Sequence, residues 1–349
     1  MSNLVPTMAD VAREAGVSVV TVDRVLNRRA MVRASTEKKV LDAALRLKFD
    51  IAKIKSLRNE IAAGPAPAAP RRIGFFLLQE HTHFYEELAA LIGMQAASNA
   101  GVAEHKLFYF NNGSANDCAS LLLKHGLEFD AIALVCVDHP QVNQAVGDLS
   151  AAGVAVYAML TDITASQRAG YIGIDNRKAG RTAAWTVARL CRQPGKVGIL
   201  IGDHRFLCQE LCEISFRSYL REHGAQFEVL DPRLTLESNE TAYQVTQALL
   251  REHPDLVGLY ISCGGRQGVM QALRESGRAG ELTVVCHELT ENTRRGLVDG
   301  VIDVVLSMPR EALVTRLIEL MVNGPEMHGI GGVAASVHLP FEMITLENM

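Results

Sequence analysis

Between residues 73 and 306, ten short apolar runs alternate with longer stretches of helical periodicity. Ile73–Leu78, Lys106–Tyr109, Ala131–Val137, Val154–Met159 and Tyr171–Ile174 form a first set. Val197–Ile201, Phe227–Leu230, Leu256–Ser262, Leu282–Cys286 and Ile302–Leu306 form a second. The stretches between them, among them Phe84–Ala100, Asn176–Arg192, Phe206–His223 and Glu240–Glu252, read as helices. Strands without polar alternation, spaced by helices, indicate parallel sheets covered on both faces. Such a number of strands divides better into two sheets of about five than into one, at ordinary domain sizes. The expected class is α/β, with a two-lobed body of two parallel sheets behind a helical head.

The segment Gly64 through Pro70 (GPAPAAP) separates head from body, because three prolines in so short a stretch favour an extended connector. The formal net charge of −4 conceals an asymmetry across that boundary. Residues 1–60 hold 12 Lys and Arg against 7 Asp and Glu, and the remainder holds 23 against 32. A basic head on an acidic body points to a polyanion as partner of the head alone. Seven cysteines, an odd number scattered along the chain, imply reduced thiols and a cytoplasmic protein. The longest apolar runs are too short to span a bilayer, so no membrane partner is expected. The N-terminus lacks the basic stretch and apolar core of a secretory signal.

In the head, Thr7 is placed to cap a helix over Met8–Ala15, and Gly16 supplies the left-handed residue that ends it. Ser18 caps a second helix, Val19–Asn27. Ala12, Val17, Val22 and Val25 let the two cross tightly, while a third helix over Ser35–Phe49 closes a three-helix core. In this helix-turn-helix pattern Val19, Val20 and Thr21 face base edges in a major groove, and Arg24 and Asn27 reach phosphate or base.

Ala9 through Asn27 (ADVAREAGVSVVTVDRVLN) resembles the DNA-binding motif of the lactose-repressor family of bacterial regulators. By that resemblance Val19 and Val20 sit where the family reads operator bases. Thr7, Thr21, Arg24, Asn27 and Arg33 sit at or near positions that contact phosphates and bases, and Asp23 stands where Ser is common. The family continues into a Pro-containing turn and a hinge helix whose Leu wedges into the minor groove. Here Leu47–Arg58 has no Pro and Leu57 falls one residue early, a departure from the pattern on which such a kink rests.

Residues 72–349 resemble the same family's effector domain, similar in fold to periplasmic sugar-binding proteins. Tyr171–Gly180 (YIGIDNRKAG), Val284–Glu288 (VVCHE) and Leu339–Ile344 (LPFEMI) carry the likeness. It implies three crossings between lobes, near Gly173, Met308 and Pro340. The expected division is a head at 1–60, a linker at 61–71 and a body at 72–349. Lobe one then takes about 72–173 and 309–339, and lobe two about 174–308 and 340–349.

Independently of any family, ligands of parallel sheets sit beyond the carboxyl ends of the strands. Those ends place Glu80, His83, Asp138 and Asp162 in lobe one, and Ser262, Arg266 and Glu288 in lobe two. Opposed polar rims suit a hydroxyl-rich small molecule, with Phe84 and Tyr85 as an aromatic face against a sugar ring. Asp162 and Glu288 can each hold a pair of hydroxyls by charge-assisted hydrogen bonds. The resemblance places Glu288 where the family commonly has an Asp that grips the sugar. It also places Cys212 at a sugar-binding Arg and Ser262 at an Asn, two departures from a standard sugar site.

The expected function is a repressor whose affinity for double-stranded operator DNA is set by a carbohydrate effector. A homodimer is expected, because no heptad helix follows the last strand to join tetramers. Two alternatives stand beside it: control by a partner protein with a vestigial pocket, and a metal or redox sensor through Cys208 and Cys212. The latter two share a helix face with His204 at spacings of four. An enzyme is not expected and no cofactor is implied, since no nucleotide-cradling glycine loop, catalytic triad signature or metal-ligand pair stands out.

Overall fold

The structure, a computed structural model, describes residues 6–27, 32–49, 54, 69–78, 83–110, 114–324, 327–328 and 333–349. It divides into two compact units, Met1–Ala69 and Pro70–Met349.

The head holds helices α1 (Met8–Ala15), α2 (Val19–Asn27) and α3 (Ala34–Arg46). Val11, Val22 and Val40 are wholly buried among them, and Val25, Leu26 and Leu41 nearly so. Expected to reach Phe49, α3 stops earlier. Lys48 turns left-handed at φ 56°, and the Phe49 N–H reaches back to the Ala44 carbonyl at 2.8 Å. That closing turn satisfies carbonyls which would otherwise be orphaned at the helix end.

Lobe one of the body is built on β1 (Arg71–Leu78), β2 (Val102–Phe110), β3 (Ala131–Leu134), β4 (Ala155–Met159) and β5 (Gly170–Ile174). Helices α4 (His83–Ser98), α5 (Ala115–His125) and α6 (Pro140–Ala151) connect them. Lobe two begins with α7 (Asn176–Leu190) and continues through β6 (Gly195–Ile201), α8 (Leu207–His223), β7 (Phe227–Val229) and β8 (Arg233–Leu234). It goes on with α9 (Asn239–Glu252), β9 (Leu256–Ile261), α10 (Arg266–Glu275), β10 (Thr283–His287), α11 (Glu291–Val298) and β11 (Val304–Ser307). The chain then returns to lobe one as α12 (Arg310–Asn323), β12 (Met327–His328) and β13 (Val333–Leu339), and ends in lobe two with β14 (Glu342–Ile344).

Both sheets have seven strands. The first runs β12-β13-β5-β4-β3-β1-β2; the second runs β14-β11-β10-β9-β6-β7, with β8 also paired to β6. All pairings are parallel except β12 with β13 and β11 with β14. Strands β3, β5, β10 and β11 are buried along their whole length, as strands sandwiched between helix layers must be. The sheets exceed five strands because the short strands β8, β12 and β14, and β13 with its Ser336 and His338, carry too little apolar pattern to stand out. The chain passes between lobes after β5, at Met308–Pro309 before α12, and at Pro340–Phe341. Parallel strands bring all their carboxyl ends to one edge of each sheet, and the two edges face a common cleft.

Candidate functional site

In the head, the backbone N–H of Thr7 donates to Asp10 Oδ2 at 2.9 Å while Thr7 Oγ1 accepts from the Asp10 N–H. This reciprocal box fixes the start of α1; the Thr7 hydroxyl, which donates to Asp10 Oδ2 at 2.7 Å, and then the Thr7 N–H hold the Asp10 carboxyl below its usual range. Gly16 ends the helix at φ 65°. Ser18 Oγ accepts from the Thr21 N–H at 3.1 Å and lies 2.9 Å from Thr21 Oγ1, which caps α2.

Along α2 burial splits the valines. Val22 and Val25 are 0% and 4% exposed, whereas Val19 and Val20 are 46% and 58% exposed. Arg24 is exposed beside them, and no acidic residue stands in the first turn. An uncovered apolar pair beside the positive end of a helix dipole suits base methyls and phosphates. Asn27 Nδ2 is held by Asp23 Oδ1 at 2.6 Å. Arg33 is exposed at the N-cap position of α3. Leu57 and residues 61–68 of the linker fall outside the described residues, and Arg71, at the linker's expected end, already begins β1.

In the body, a cavity of about 460 Å³ lies between the lobes. Of the expected ligand residues, His83, Phe84, Ser262, Arg266 and Glu288 line it. Glu80 lies outside the described residues. Asp138 and Asp162 are not among the lining residues and serve their own loops instead, which corrects the expectation for both. Asp162 forms a two-pronged ion pair with Arg168, at 2.7 and 2.9 Å, and accepts from the Ile163 N–H. Asp138 Oδ1 accepts from Asn143 Nδ2 and from the N–H and hydroxyl of Thr164. Asp162 is therefore engaged through both oxygens and Asp138 through Oδ1 within lobe one.

Glu288 follows β10 in a left-handed conformation, φ 66°, costly for a residue with a Cβ. Its N–H donates to the Leu306 carbonyl at 2.9 Å and its carbonyl accepts from Thr293 Oγ1 at 2.9 Å, which hold the strained backbone in place. The side chain is partly open to the cavity, yet Oε2 has no accessible surface and no hydrogen-bond partner. Burial pushes this carboxyl up to about 7, against the opposing charges of Arg266 and Arg310 and a backbone bond from Met308.

A second carboxylate, Glu237, was not anticipated. Leu236 and Glu237 both turn left-handed, at φ 52° and 57°, so the loop after β8 doubles back over the cavity. Glu237 Oε1 accepts from Gln209 Nε2 and Oε2 from the Gly264 N–H, each at 2.7 Å. A Cβ at Gly264 or Gly202 would come within 2.2 or 1.9 Å of this carboxylate, so a side chain at either position would displace it. Burial raises the Glu237 carboxyl above its usual range.

His287, buried behind Glu288, shares a 2.8 Å hydrogen bond with the Tyr260 hydroxyl. Tyr260 in turn stacks on Phe216 at 4.7 Å. Burial, then the Arg266 charge, lowers the imidazole to about 4, so it is neutral near pH 7. Arg266 Nη1 donates to the Cys263 carbonyl at 2.8 Å. Phe84 and Tyr85 meet edge to face at 5.1 Å, with Arg310 5.8 Å over the Phe84 ring. Cys208 and Cys212 also line the cavity, but burial pushes both thiols up to about 12. They are protonated, and thiols lacking thiolate character are poor redox nucleophiles. Among the described residues no group of three or more His, Cys, Asp or Glu is arranged to hold a metal ion.

Residues 79–323 match the family model of the periplasmic binding protein domain. The chain belongs to that family. Its head, at residues 7–50, matches the model of bacterial regulatory proteins of the lacI family. This periplasmic-binding-protein-type chain is 25% identical over 184 residues to a D-ribose/D-allose-binding protein of Pseudomonas aeruginosa, covering 50% of this chain and 55% of the relative. It is 40% identical over 83 residues to catabolite control protein A of Priestia megaterium, 24% of this chain and 23% of that one. The chain thus matches about half the length of the first relative and about a quarter of the second. A solved ABC-transporter solute-binding protein from Agrobacterium vitis with bound D-fucose shares the fold, at a TM-score of 0.71 and 16% identity. That likeness covers 79% of this chain and 96% of the solved one. No helix among the described residues is long and apolar enough to cross a membrane.

Proposed function

We propose that this protein is a sequence-specific DNA-binding transcription regulator, a homodimeric repressor in the cytoplasm. Its operator affinity is set by a saccharide held between the lobes. The reading rests chiefly on the exposure of Val19 and Val20 at the start of a capped helix whose other valines are buried. Nothing in the fold of the head needs two bare valines there, whereas a major groove does. Thr7, Ser18, Thr21, Arg24, Asn27 and Arg33 supply the surrounding DNA contacts. The lacI-family match of the head and the similarity to catabolite control protein A support the same assignment.

The body acts by binding, without chemical turnover. His83, Phe84, Ser262, Arg266 and Glu288, joined by Glu237, hold the effector. The name of the ribose/allose-binding relative and the D-fucose bound to the solved neighbour support a saccharide as its class. Effector and DNA are linked because the effector prefers one of two lobe arrangements, which differ in how a pair of heads meets successive major grooves.

Selection of binding sites from random DNA with the full chain tests the head. Operator binding by fluorescence anisotropy, with and without pentoses and hexoses, tests the linkage. Failure to enrich any sequence would overturn the regulator assignment. An operator affinity indifferent to every sugar would overturn the saccharide effector.

A further inference from the structure

We infer that the ligand of this cleft carries a protonated amine, as an amino sugar does, and seats it against Glu288. The inference rests on the saccharide reading above and narrows it by charge.

Among the described residues that line the cavity, Glu86, Glu237 and Glu288 are carboxylates and Arg266 is the cation beyond the His83 rim. Arg310, close enough to act on Glu288, is engaged by Glu87 in an ion pair and by the Leu289 carbonyl. His287 shares its Nε2 with the Tyr260 hydroxyl and adds no charge. Arg266 already gives one N–H to the Cys263 carbonyl.

The two inner carboxylates differ in what remains open to a ligand. Both oxygens of Glu237 are taken by donors of the protein itself. Glu288 Oε2, by contrast, has neither solvent nor a hydrogen-bond partner. A buried acceptor in that state is costly until a donor arrives, and costlier still when it is ionised. A hydroxyl would supply the donor but no positive charge beyond those of Arg266 and Arg310, which both bond to carbonyls elsewhere. An ammonium group supplies both, in the charge-assisted form that is about twice as strong. A uronic acid would bring a like charge to the same place. Burial has already pushed the Glu288 carboxyl up to about 7, and a cation at this oxygen would draw it back down.

The test is calorimetric titration of the full chain at pH 7 with D-glucosamine, D-galactosamine and D-mannosamine. The parent hexoses and D-glucuronate and D-galacturonate run beside them, against wild type and Glu288→Gln. An amino sugar is expected to bind at least about tenfold more tightly than its parent hexose. Glu288→Gln should bring the affinities of the two to within about twofold of each other. Parent hexoses or uronates binding as well as the amino sugars would overturn the inference and leave the saccharide reading standing. So would an amine preference that survives in Glu288→Gln. Silence from all three sugar sets would overturn the saccharide reading and this inference together.

Discussion

Arg310 ties the lobes together through Leu289: its Nη2, at the start of α12 in lobe one, donates to the Leu289 carbonyl of lobe two at 2.8 Å. The same guanidinium pairs with Glu87 and lies over the Phe84 ring, which borders the cavity. Leu289 directly follows Glu288, so one side chain touches the hinge, the aromatic wall and the backbone beside the buried carboxylate.

Arg310→Ala should therefore cost roughly 1–3 kcal/mol of stability, because it leaves Glu87 with His83 Nε2 alone, at 2.9 Å, and removes the donor to the Leu289 carbonyl. Arg310→Lys should recover only part of it, since an ammonium cannot fork between two acceptors and stack on a ring. Urea unfolding of the full chain measures both. A lysine variant as stable as wild type would show that charge alone matters at this position.

The raised pKa of Glu288 makes a pH-dependent prediction. Its folded value of about 7 exceeds the ordinary 4.5, so between those pH values the folded state binds the extra proton. Ionisation then destabilises the unliganded fold progressively as pH rises from about 4.5 to 7, by up to about 3 kcal/mol. Glu288→Gln removes this term, so the variant should be more stable than wild type at pH 8, with the difference gone by about pH 4.5. His287 works in the opposite sense, its value depressed from 6.5 to about 4. Its contribution is complete above pH 6.5 and is lost as pH falls towards 4. In wild type the two slopes largely offset, and in Glu288→Gln the histidine slope should stand alone. Thermal unfolding across pH 4 to 8 checks this, and a variant less stable than wild type at pH 8 would contradict it.

Asp162 should behave as a structural residue. Asp162→Asn breaks the forked pair with Arg168 and should cost on the order of 1–2 kcal/mol. Sugar affinity in the calorimetric panel should stay within about twofold of wild type. A large loss of sugar binding with unchanged stability would return this carboxylate to the pocket.

In the head, Val19→Ala with Val20→Ala should leave stability within about 0.5 kcal/mol, because both side chains are exposed. The preferred operator should nevertheless change in selection from random DNA. Arg24→Ala should weaken binding to all sequences alike, as loss of a phosphate contact does. An unchanged consensus for the double variant would remove α2 from the role of reader. Gly16→Ala should cost about 1 kcal/mol by backbone strain alone, since its φ is 65° and no atom lies within 4 Å to clash.

The sequence by itself determined the features whose partners are near in the chain or whose pattern is periodic. Thr7 with Asp10, Gly16, and Ser18 with Thr21 fix the helix-turn-helix through bonds spanning three or four residues, and such bonds are written locally. Buried runs such as Ala131–Leu134 and Thr283–His287 announce parallel strands, because a strand covered on both faces has no polar positions to hide it. Tertiary structure alone decided which polar residues reach the cleft. Asp162 and Glu288 both follow apolar strands, yet Arg168 folds back on one while the other is left with a bare oxygen. Glu237 joins the site through Gly264 and Gln209, 27 and 28 residues away in the chain, after a strand of two residues that leaves no periodic trace. A carboxylate's role depends on which donor arrives first, and when that donor is distant in sequence only packing brings it there.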